Sequence, residues 1–279
     1  MQEGKPSRTA WAAAAHRAAH QILEGGRIFA DPLALRILGE EAESVAREAE
    51  AQPSRRRMRI FIAARTRFAE DALAAAFERG LRQVVVLGAG LDTCAYRSPL
   101  RDRLRIFEVD HPVTQAWKRR RLEEAAIPIP SSLTFAPVDF ERQTLAEGLG
   151  AAGFDPAQQT FFTWLGVVPY LTDEAVWATL RFIAGLQNGA HVVFDYSDPP
   201  DSLSPEGRAL HDEHAARVAG LGEEWRSYFE AGELRAKLMA LGFSEIEDLG
   251  PPQIAALYFP NLVIALPDKG GHVLRATTL

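Results

Sequence analysis

Val84-Val85-Val86-Leu87-Gly88-Ala89-Gly90-Leu91-Asp92-Thr93 is the stretch on which the fold turns. An apolar, β-branched run stops at two glycines separated by one residue. Such a run suits a strand buried on both faces of a parallel sheet, and the glycines end it in a tight turn where another molecule can lie against bare backbone. Just downstream, Arg105-Ile106-Phe107-Glu108-Val109-Asp110 is a second apolar run, ending in acid. A glycine turn followed by an acid at the tip of the neighbouring strand is the arrangement that holds an adenosine. Main chain meets one end of it and a carboxylate takes the ribose hydroxyls. Each feature also has a plainer reading. The glycines fit a strand–helix turn that binds nothing, and Asp110 fits a cap for the helix that Pro112 opens. Found together in register, they favour the nucleoside.

The alternation continues along the chain. Strand-like runs fall at Gln83–Leu87, Arg105–Val109, Leu133–Val138, Thr160–Leu165 and His191–Tyr196, with helical stretches between them, clearest at Asp173–Leu186. Strands alternating with helices predict βα units and a parallel sheet covered on both faces. Later come helical patterns at Glu206–Gly220 and Glu230–Leu241, and strands at Ser244–Leu249 and His272–Thr278. Before the first strand the chain is helical: alanine-rich from Thr9 to Leu23, reopened by Asp31-Pro32 as cap and first helical residue, and amphipathic from Ile60 to Phe77. No repeat or long linker interrupts this order. Residues 1–279 therefore read as a single domain: a helical cap over 1–80, then a sheet core over 81–279 with an insert at about 202–229.

Composition narrows the partners. With 279 residues, 47% hydrophobic and 24% charged, the chain has the make-up of a soluble globular protein. A net charge of -6 argues against nucleic acid as a partner. Most basic residues are arginines; the lysines are Lys5, Lys118, Lys237 and Lys269, a bias that reads as compositional rather than functional. Cys94 is the only cysteine, which fits a reducing cytoplasm. No apolar run reaches the roughly 18 residues of a membrane span, and no signal peptide is visible, so no membrane partner is expected. His211 and His214 lie on a charged helical face without a third ligand, and no metal site is expected.

The cofactor follows from the third glycine position. A dinucleotide fold wants glycine there, and Thr93 occupies it. About eighty residues of helix also precede the first strand. S-adenosylmethionine needs only the first two glycines, because no pyrophosphate has to be seated.

Further blocks surround these two. They are Ser7-Arg8-Thr9-Ala10, Phe29-Ala30-Asp31-Pro32, Ala64-Arg65-Thr66-Arg67 with Asp71, and Leu87 to Thr93 with Tyr96-Arg97. Phe107-Glu108-Val109-Asp110-His111-Pro112 with Lys118, Val138-Asp139-Phe140 and Gly166-Val167-Val168-Pro169-Tyr170-Leu171-Thr172 complete the series. In these blocks the chain resembles the leucine carboxyl methyltransferase family, especially its bacterial branch of S-adenosylmethionine-dependent O-methyltransferases. The resemblance implies an α/β, class I methyltransferase (Rossmann-like) fold: a seven-stranded sheet whose last strand is antiparallel, plus an N-terminal helical extension. It also implies S-adenosyl-L-methionine as cofactor. By position, Arg65 would grip the methionine carboxylate, and Gly88, Ala89 and Gly90 would present main chain. Asp110 would take the ribose and Asp139 the adenine amino group, with Phe140 near the base. Arg17 matches a second basic contact at a different spacing. One departure stands out. Many members carry glutamate before the glycine of the Tyr-Leu segment, and this chain has Leu165. Its neighbour Trp164 reads either as an aromatic wall near the sulfonium or as a core residue.

Methyl transfer from a sulfonium is an in-line displacement, so alignment and exclusion of water dominate. A carboxylate acceptor needs no base; a hydroxyl does. Candidates for that base are Tyr170 and Asp195, with His111 behind them. Each has a structural alternative: Tyr170 as a core aromatic, Asp195 as a cap on the turn into Ser197-Asp198-Pro199-Pro200, and His111 as a helix-start residue. The run Arg55-Arg56-Arg57-Met58-Arg59 reads as an anion site or as a solvated helix face. An acceptor is expected to enter between the N-terminal helices and the insert, which carries Trp225, Tyr228 and Phe229. The leading expectation is methylation of a carboxylate or hydroxyl on a small molecule. The alternatives are a catalytically inactive S-adenosylmethionine-binding protein, motivated by Leu165, and a nicotinamide-dependent oxidoreductase, opposed by Thr93.

Overall fold

In a computed structural model, the structure describes residues 6–52, 55–140, 142–259 and 267–278. The chain divides into two compact units, Met1–Asp155 and Pro156–Leu279.

The first unit opens with α1 (Arg8–Leu23), α2 (Ala42–Ala51) and α3 (Arg56–Glu78). Ser7 caps α1 by accepting the Ala10 N–H on its hydroxyl. Alanines dominate the buried faces, Ala14, Ala18 and Ala19 on α1 and Ala63, Ala64, Ala69, Ala72 and Ala76 on α3. Short side chains let helix axes approach closely. Glu24, just past α1, then takes two hydrogen bonds of 2.8 Å from Arg59 on α3, with Arg56 3.6 Å away. Two arginines of the 55–59 run are thereby committed to holding helices together. Asp31 does cap its turn, accepting the Leu33 N–H at 3.0 Å. However, no α-helix follows: residues 32–35 form a turn into a 3-10 helix at Arg36–Glu41. Gly39, at φ +58° within it, is the reason a regular helix does not propagate.

β1 (Gln83–Leu87) comes next, buried throughout, then the short α4 (Cys94–Arg97), β2 (Arg105–Asp110), α5 (Pro112–Glu124), β3 (Leu133–Pro137) and α6 (Leu145–Ala151). β1 runs parallel to β2 from Gln83 opposite Arg105 to Leu87 opposite Val109. β2 runs parallel to β3 from Ile106 opposite Leu133 to Asp110 opposite Pro137. This register brings Gly88, Asp110 and Val138-Asp139 to one edge. His111, not Asp110, caps α5: its Nδ1 accepts the Val113 N–H, with Pro112 as the first helical residue.

The second unit contains β4 (Thr160–Trp164), α7 (Asp173–Ala184), β5 (Ala190–Ser197), α8 (Pro205–Gly220), α9 (Ala231–Ala240), β6 (Glu245–Leu249), α10 (Pro251–Tyr258) and β7 (Gly271–Thr278). β4 and β5 are parallel, and β7 lies antiparallel between β5 and β6. A polar cluster fastens these last three strands. His272 on β7 bonds Asp248 of β6 and Asp198 beyond β5, each at 3.0 Å, and its ring stacks 4.7 Å from that of Tyr196 on β5. Burial alone would disfavour a charged imidazole there, but the two carboxylates outweigh it and raise His272 to about 9. The seven strands have the order β3-β2-β1-β4-β5-β7-β6, with the last strand antiparallel, as the resemblance implied. Among the described residues no helix is long and apolar enough to cross a membrane.

Candidate functional site

The glycine turn after β1 is locked to the tip of β2. Gly88 and Gly90 take φ of +63° and +44°, conformations that disfavour side chains bearing a Cβ. The Ala89 N–H donates to the Val109 carbonyl at 3.1 Å. The Gly90 N–H donates to Asp110 Oδ2 at 2.6 Å, and the His111 N–H donates to Asp110 Oδ1 at 2.7 Å. One step along the sheet edge, the Val138 N–H donates to the Asp110 carbonyl at 2.9 Å. Burial pushes the Asp110 carboxyl up, against the opposing pull of those N–H donors. An ionised carboxylate offers about four lone-pair sites. Two are taken by main chain, which leaves the group oriented and still able to accept from vicinal hydroxyls.

Helix α1 supports this turn from its other side. A Cβ built on Gly90 would stand 2.9 Å from the Ala10 Cβ. Arg17 donates to the Leu91 carbonyl at 2.6 Å, with its Nε 3.7 Å from Asp31. Asp31 in turn accepts from the Thr93 hydroxyl at 2.7 Å, while Arg97 donates to Thr93 at 3.1 Å and pairs with Glu70 of α3. Thr93, which stands where a dinucleotide fold wants glycine, is thus a fastening point between the turn and the N-terminal segment. Cys94 follows it, its N–H on Asp92 Oδ1 at 2.8 Å; burial, with Glu70 and Asp92 nearby, holds its thiol well above the ordinary range.

Behind the β2 tip lies a buried charge pair. Lys118 Nζ of α5 is 2.8 Å from Glu108 Oε2, and both side chains are 1% exposed. The Tyr96 hydroxyl donates to the same oxygen at 3.1 Å. Burial pushes Glu108 up to about 7, with Lys118 acting against it. The Tyr96 phenol is pushed up by burial and by Glu108.

At the β3 tip Asp139 follows Val138, and the ring of Phe140 is 61% exposed. Asp139 lies 3.4 Å from Arg142. Arg65 belongs to α3, where it is buried with its guanidinium 5.7 Å from the Phe61 ring centroid. Hydrogen bonds therefore bring together Gly88–Gly90, Asp110, Arg17 and the start of the Val138-Asp139-Phe140 segment. In the second unit Trp164 is 2% exposed and packs 6.2 Å from Phe194, a core residue. Asp195 is 3% exposed and accepts the Gly166 N–H at 2.5 Å, which fixes the loop after β4. Tyr170 ends the 3-10 helix Val168–Tyr170 and is half-buried.

Two partnerships are not legible in the sequence: Asp31 with Thr93, Arg97 and Glu70, and Glu108 with Lys118 and Tyr96. The second did leave a signal. A charge in the middle of a buried strand needs a counter-charge, and Lys118 is a rare lysine in an arginine-rich chain.

An acceptor-only carboxylate, open main chain and an exposed flat ring on three adjacent strand tips fit a nucleoside. Among the described residues no group of three or more His, Cys, Asp or Glu side chains is arranged to hold a metal ion.

Comparison with known proteins shows the family and the fold. The profile of the leucine carboxyl methyltransferase family matches residues 10–184. A Bacillus subtilis protein, YktD, named as a candidate S-adenosyl-L-methionine-dependent methyltransferase, is 36% identical over 201 residues, covering 71% of this chain and 66% of that one. The match to the first such relatives spans only 62–66% of their length. Among solved structures, a candidate methyltransferase from Thermobifida fusca aligns with a TM-score of 0.59 at 16% identity, over 99% of this chain and 96% of that one. A DUF574 family protein from Streptomyces avermitilis aligns at 0.58 and 16%, over 95% and 97%. At that identity the two share the fold.

Proposed function

This chain belongs to the leucine carboxyl methyltransferase family, and on that premise we propose that it is an S-adenosyl-L-methionine-dependent O-methyltransferase acting on a carboxylate or hydroxyl of a small molecule. The observation that carries the reading is the 2.6 Å bond from the Gly90 N–H to Asp110. It joins bare main chain and a ribose-competent acid into one rigid element at the strand tips, where ligands of such sheets bind. The name given to YktD supports the coarser part of this reading, S-adenosyl-L-methionine-dependent methyl transfer.

In this reading Asp110 accepts from the two ribose hydroxyls, and the Gly88-Ala89-Gly90 main chain borders the cofactor. Phe140 lies against the adenine and Asp139 accepts from its amino group. Arg65 holds the methionine carboxylate with paired donors, and Arg17, anchored on the Leu91 carbonyl, is the second basic group. When bound, S-adenosyl-L-methionine supplies a methyl group already activated for displacement. The chain's part is to orient donor and acceptor in line and to keep water out. Its acidic balance favours a small-molecule acceptor over nucleic acid, and its single cysteine a reducing, cytoplasmic setting.

Calorimetric titration with S-adenosyl-L-methionine tests the reading. Saturable binding is expected, and absence of heat at millimolar ligand overturns it. Asp110→Ala is expected to weaken binding by about 1–3 kcal/mol, the cost of leaving hydroxyls unpaired, with an unchanged circular dichroism spectrum. Equal affinity in that variant removes the role given to Asp110.

A further inference from the structure

The second unit holds a hydrogen-bonded chain of side chains that the reading above leaves unused. The Tyr228 hydroxyl lies 3.1 Å from His211 Nε2, and His211 Nδ1 lies 3.0 Å from Asp212 Oδ1. An ionised carboxylate only accepts, so Nδ1 carries the hydrogen. In the neutral form of the ring, that tautomer makes Nε2 the acceptor and Tyr228 the donor. That is the orientation of a base. The Asp212 carboxylate is fixed in turn by Arg208 at 2.9 and 3.0 Å, and Arg208 also bonds Asp201 at 2.7 Å.

The surroundings are unusual for a surface helix. α8 contributes no fully buried residue, and its polar faces are laced by pairs such as Arg208–Asp212 and Glu213–Arg217. Yet the His211 side chain is only 9% exposed, its ring 5.4 Å from that of Trp225 and 5.5 Å from that of Tyr228. The segment carrying these aromatics is pinned to the strand ends. The Arg226 N–H donates to the Pro169 carbonyl at 2.6 Å, and the Ser227 hydroxyl donates to the Val168 carbonyl at 2.7 Å. The Phe229 N–H donates to the Ser197 carbonyl at 3.1 Å. Tyr228 therefore stands between a residue fastened to the loop after β4 and one fastened to the tip of β5. These are carboxyl ends of parallel strands, the edge where such sheets bind ligands.

We propose that Tyr228, His211 and Asp212 form a proton relay for a phenolic acceptor, which narrows the O-methyltransferase reading to a hydroxyl substrate and rests on it. The acceptor's hydroxyl proton passes to the Tyr228 oxygen while the proton of Tyr228 moves to His211 Nε2. The acceptor oxygen is left as a phenolate, the nucleophile that a methyl donor, when bound, would require. His211 emerges as an imidazolium balanced by Asp212, and its proton returns to water. Burial keeps the Tyr228 phenol above its ordinary range, so it enters the cycle protonated and acts as a conduit. Trp225 and Tyr228 offer the acceptor aromatic faces. A carboxylate acceptor would leave the relay idle, because it has no proton to lose.

The test uses the full chain and 4-nitrophenol, whose phenolate is yellow. At neutral pH, where the free probe is only partly ionised, wild type is expected to raise the phenolate signal saturably above that of the free probe. His211→Gln and Tyr228→Phe are each expected to lose about tenfold or more in apparent affinity for that signal, the worth of one hydrogen bond to a charged group. Both variants should keep the wild-type circular dichroism spectrum and the wild-type affinity for S-adenosyl-L-methionine. Binding without the phenolate signal, no binding by wild type, or a full signal in His211→Gln each overturns the relay. Phenolate formation by a wild-type protein that gives no heat with S-adenosyl-L-methionine upholds the relay's proton transfer and sinks the methyltransferase reading instead.

Discussion

Gly90 stands at φ +44° with the Ala10 Cβ 2.9 Å from the place its own Cβ would occupy. Gly90→Ala should cost about 1–2 kcal/mol for the backbone conformation alone, with the clash added. Urea denaturation of Gly90→Ala, Ala10→Gly and the double variant separates the two terms. The double variant should recover the contact part of the loss, so strictly additive effects would show that Ala10 bears no load there. The pair Glu108–Lys118 yields a pH-dependent prediction. A buried acid raised to about 7 from 4.5 binds its proton more readily folded than unfolded. Its contribution is therefore full below about 4.5 and is lost as pH rises through about 7. Lys118→Met, which leaves the carboxylate unpaired, should cost about 3–5 kcal/mol on the alkaline side and distinctly less at acidic pH, where Glu108 is protonated. A pH-independent loss by urea titration would contradict this. The two glycines and Asp110 announced themselves by type and spacing. That Lys118 meets Glu108 depends on how α5 packs behind β2, which no local pattern records.

At the scale of elements, most strands lie where alternation put them, with ends moved by a residue or so. β1 spans Gln83–Leu87 as read, and β5 gains Ala190 and Ser197. Buried strands are legible because both faces must be apolar. Helical segments were less legible, and two show why. Asp31-Pro32 looks like a helix start, but Gly39 lets only a 3-10 helix form. α10 opens on Pro251-Pro252 and matches no pattern read from the sequence, although proline is tolerated in a first helical turn. α8 is a helix held by surface charge pairs and little burial. Such pairs add only about 0.2–0.5 kcal/mol each, so its amides should exchange with deuterium faster than those of α3 or α7. Protection equal to α3 would contradict that ranking. The clasp across β5, β6 and β7 depends on an imidazolium. His272 is raised to about 9 from 6.5, so its contribution is complete below about 6.5 and fades as pH rises through about 9. His272→Gln should flatten that part of the stability profile; a retained slope between those pH values would assign it to another group.

For the molecule as a whole, the two titrations fall in different units, Glu108 in Met1–Asp155 and His272 in Pro156–Leu279. Both lose their contribution as pH rises, in successive windows, so thermal unfolding followed by calorimetry should move to lower temperature between about pH 5 and pH 9. The combined Glu108→Gln and His272→Gln protein should show a flatter dependence. The residues proposed to face the nucleoside are legible because a cofactor shared by a large family fixes their type. The proposed relay is not: sequence marks Tyr228 only as an aromatic in an insert, and its partnership with His211, seventeen residues away, arises from the return of the chain after α8. One consequence concerns the lone sulfur beside the glycine turn. The thiolate is the form that alkylates, and Cys94 is held as a thiol. Its capture by iodoacetamide should therefore be slow at neutral pH, and a single mass shift, timed with and without S-adenosylhomocysteine, becomes a stopwatch native to the chain for what a ligand does to that corner.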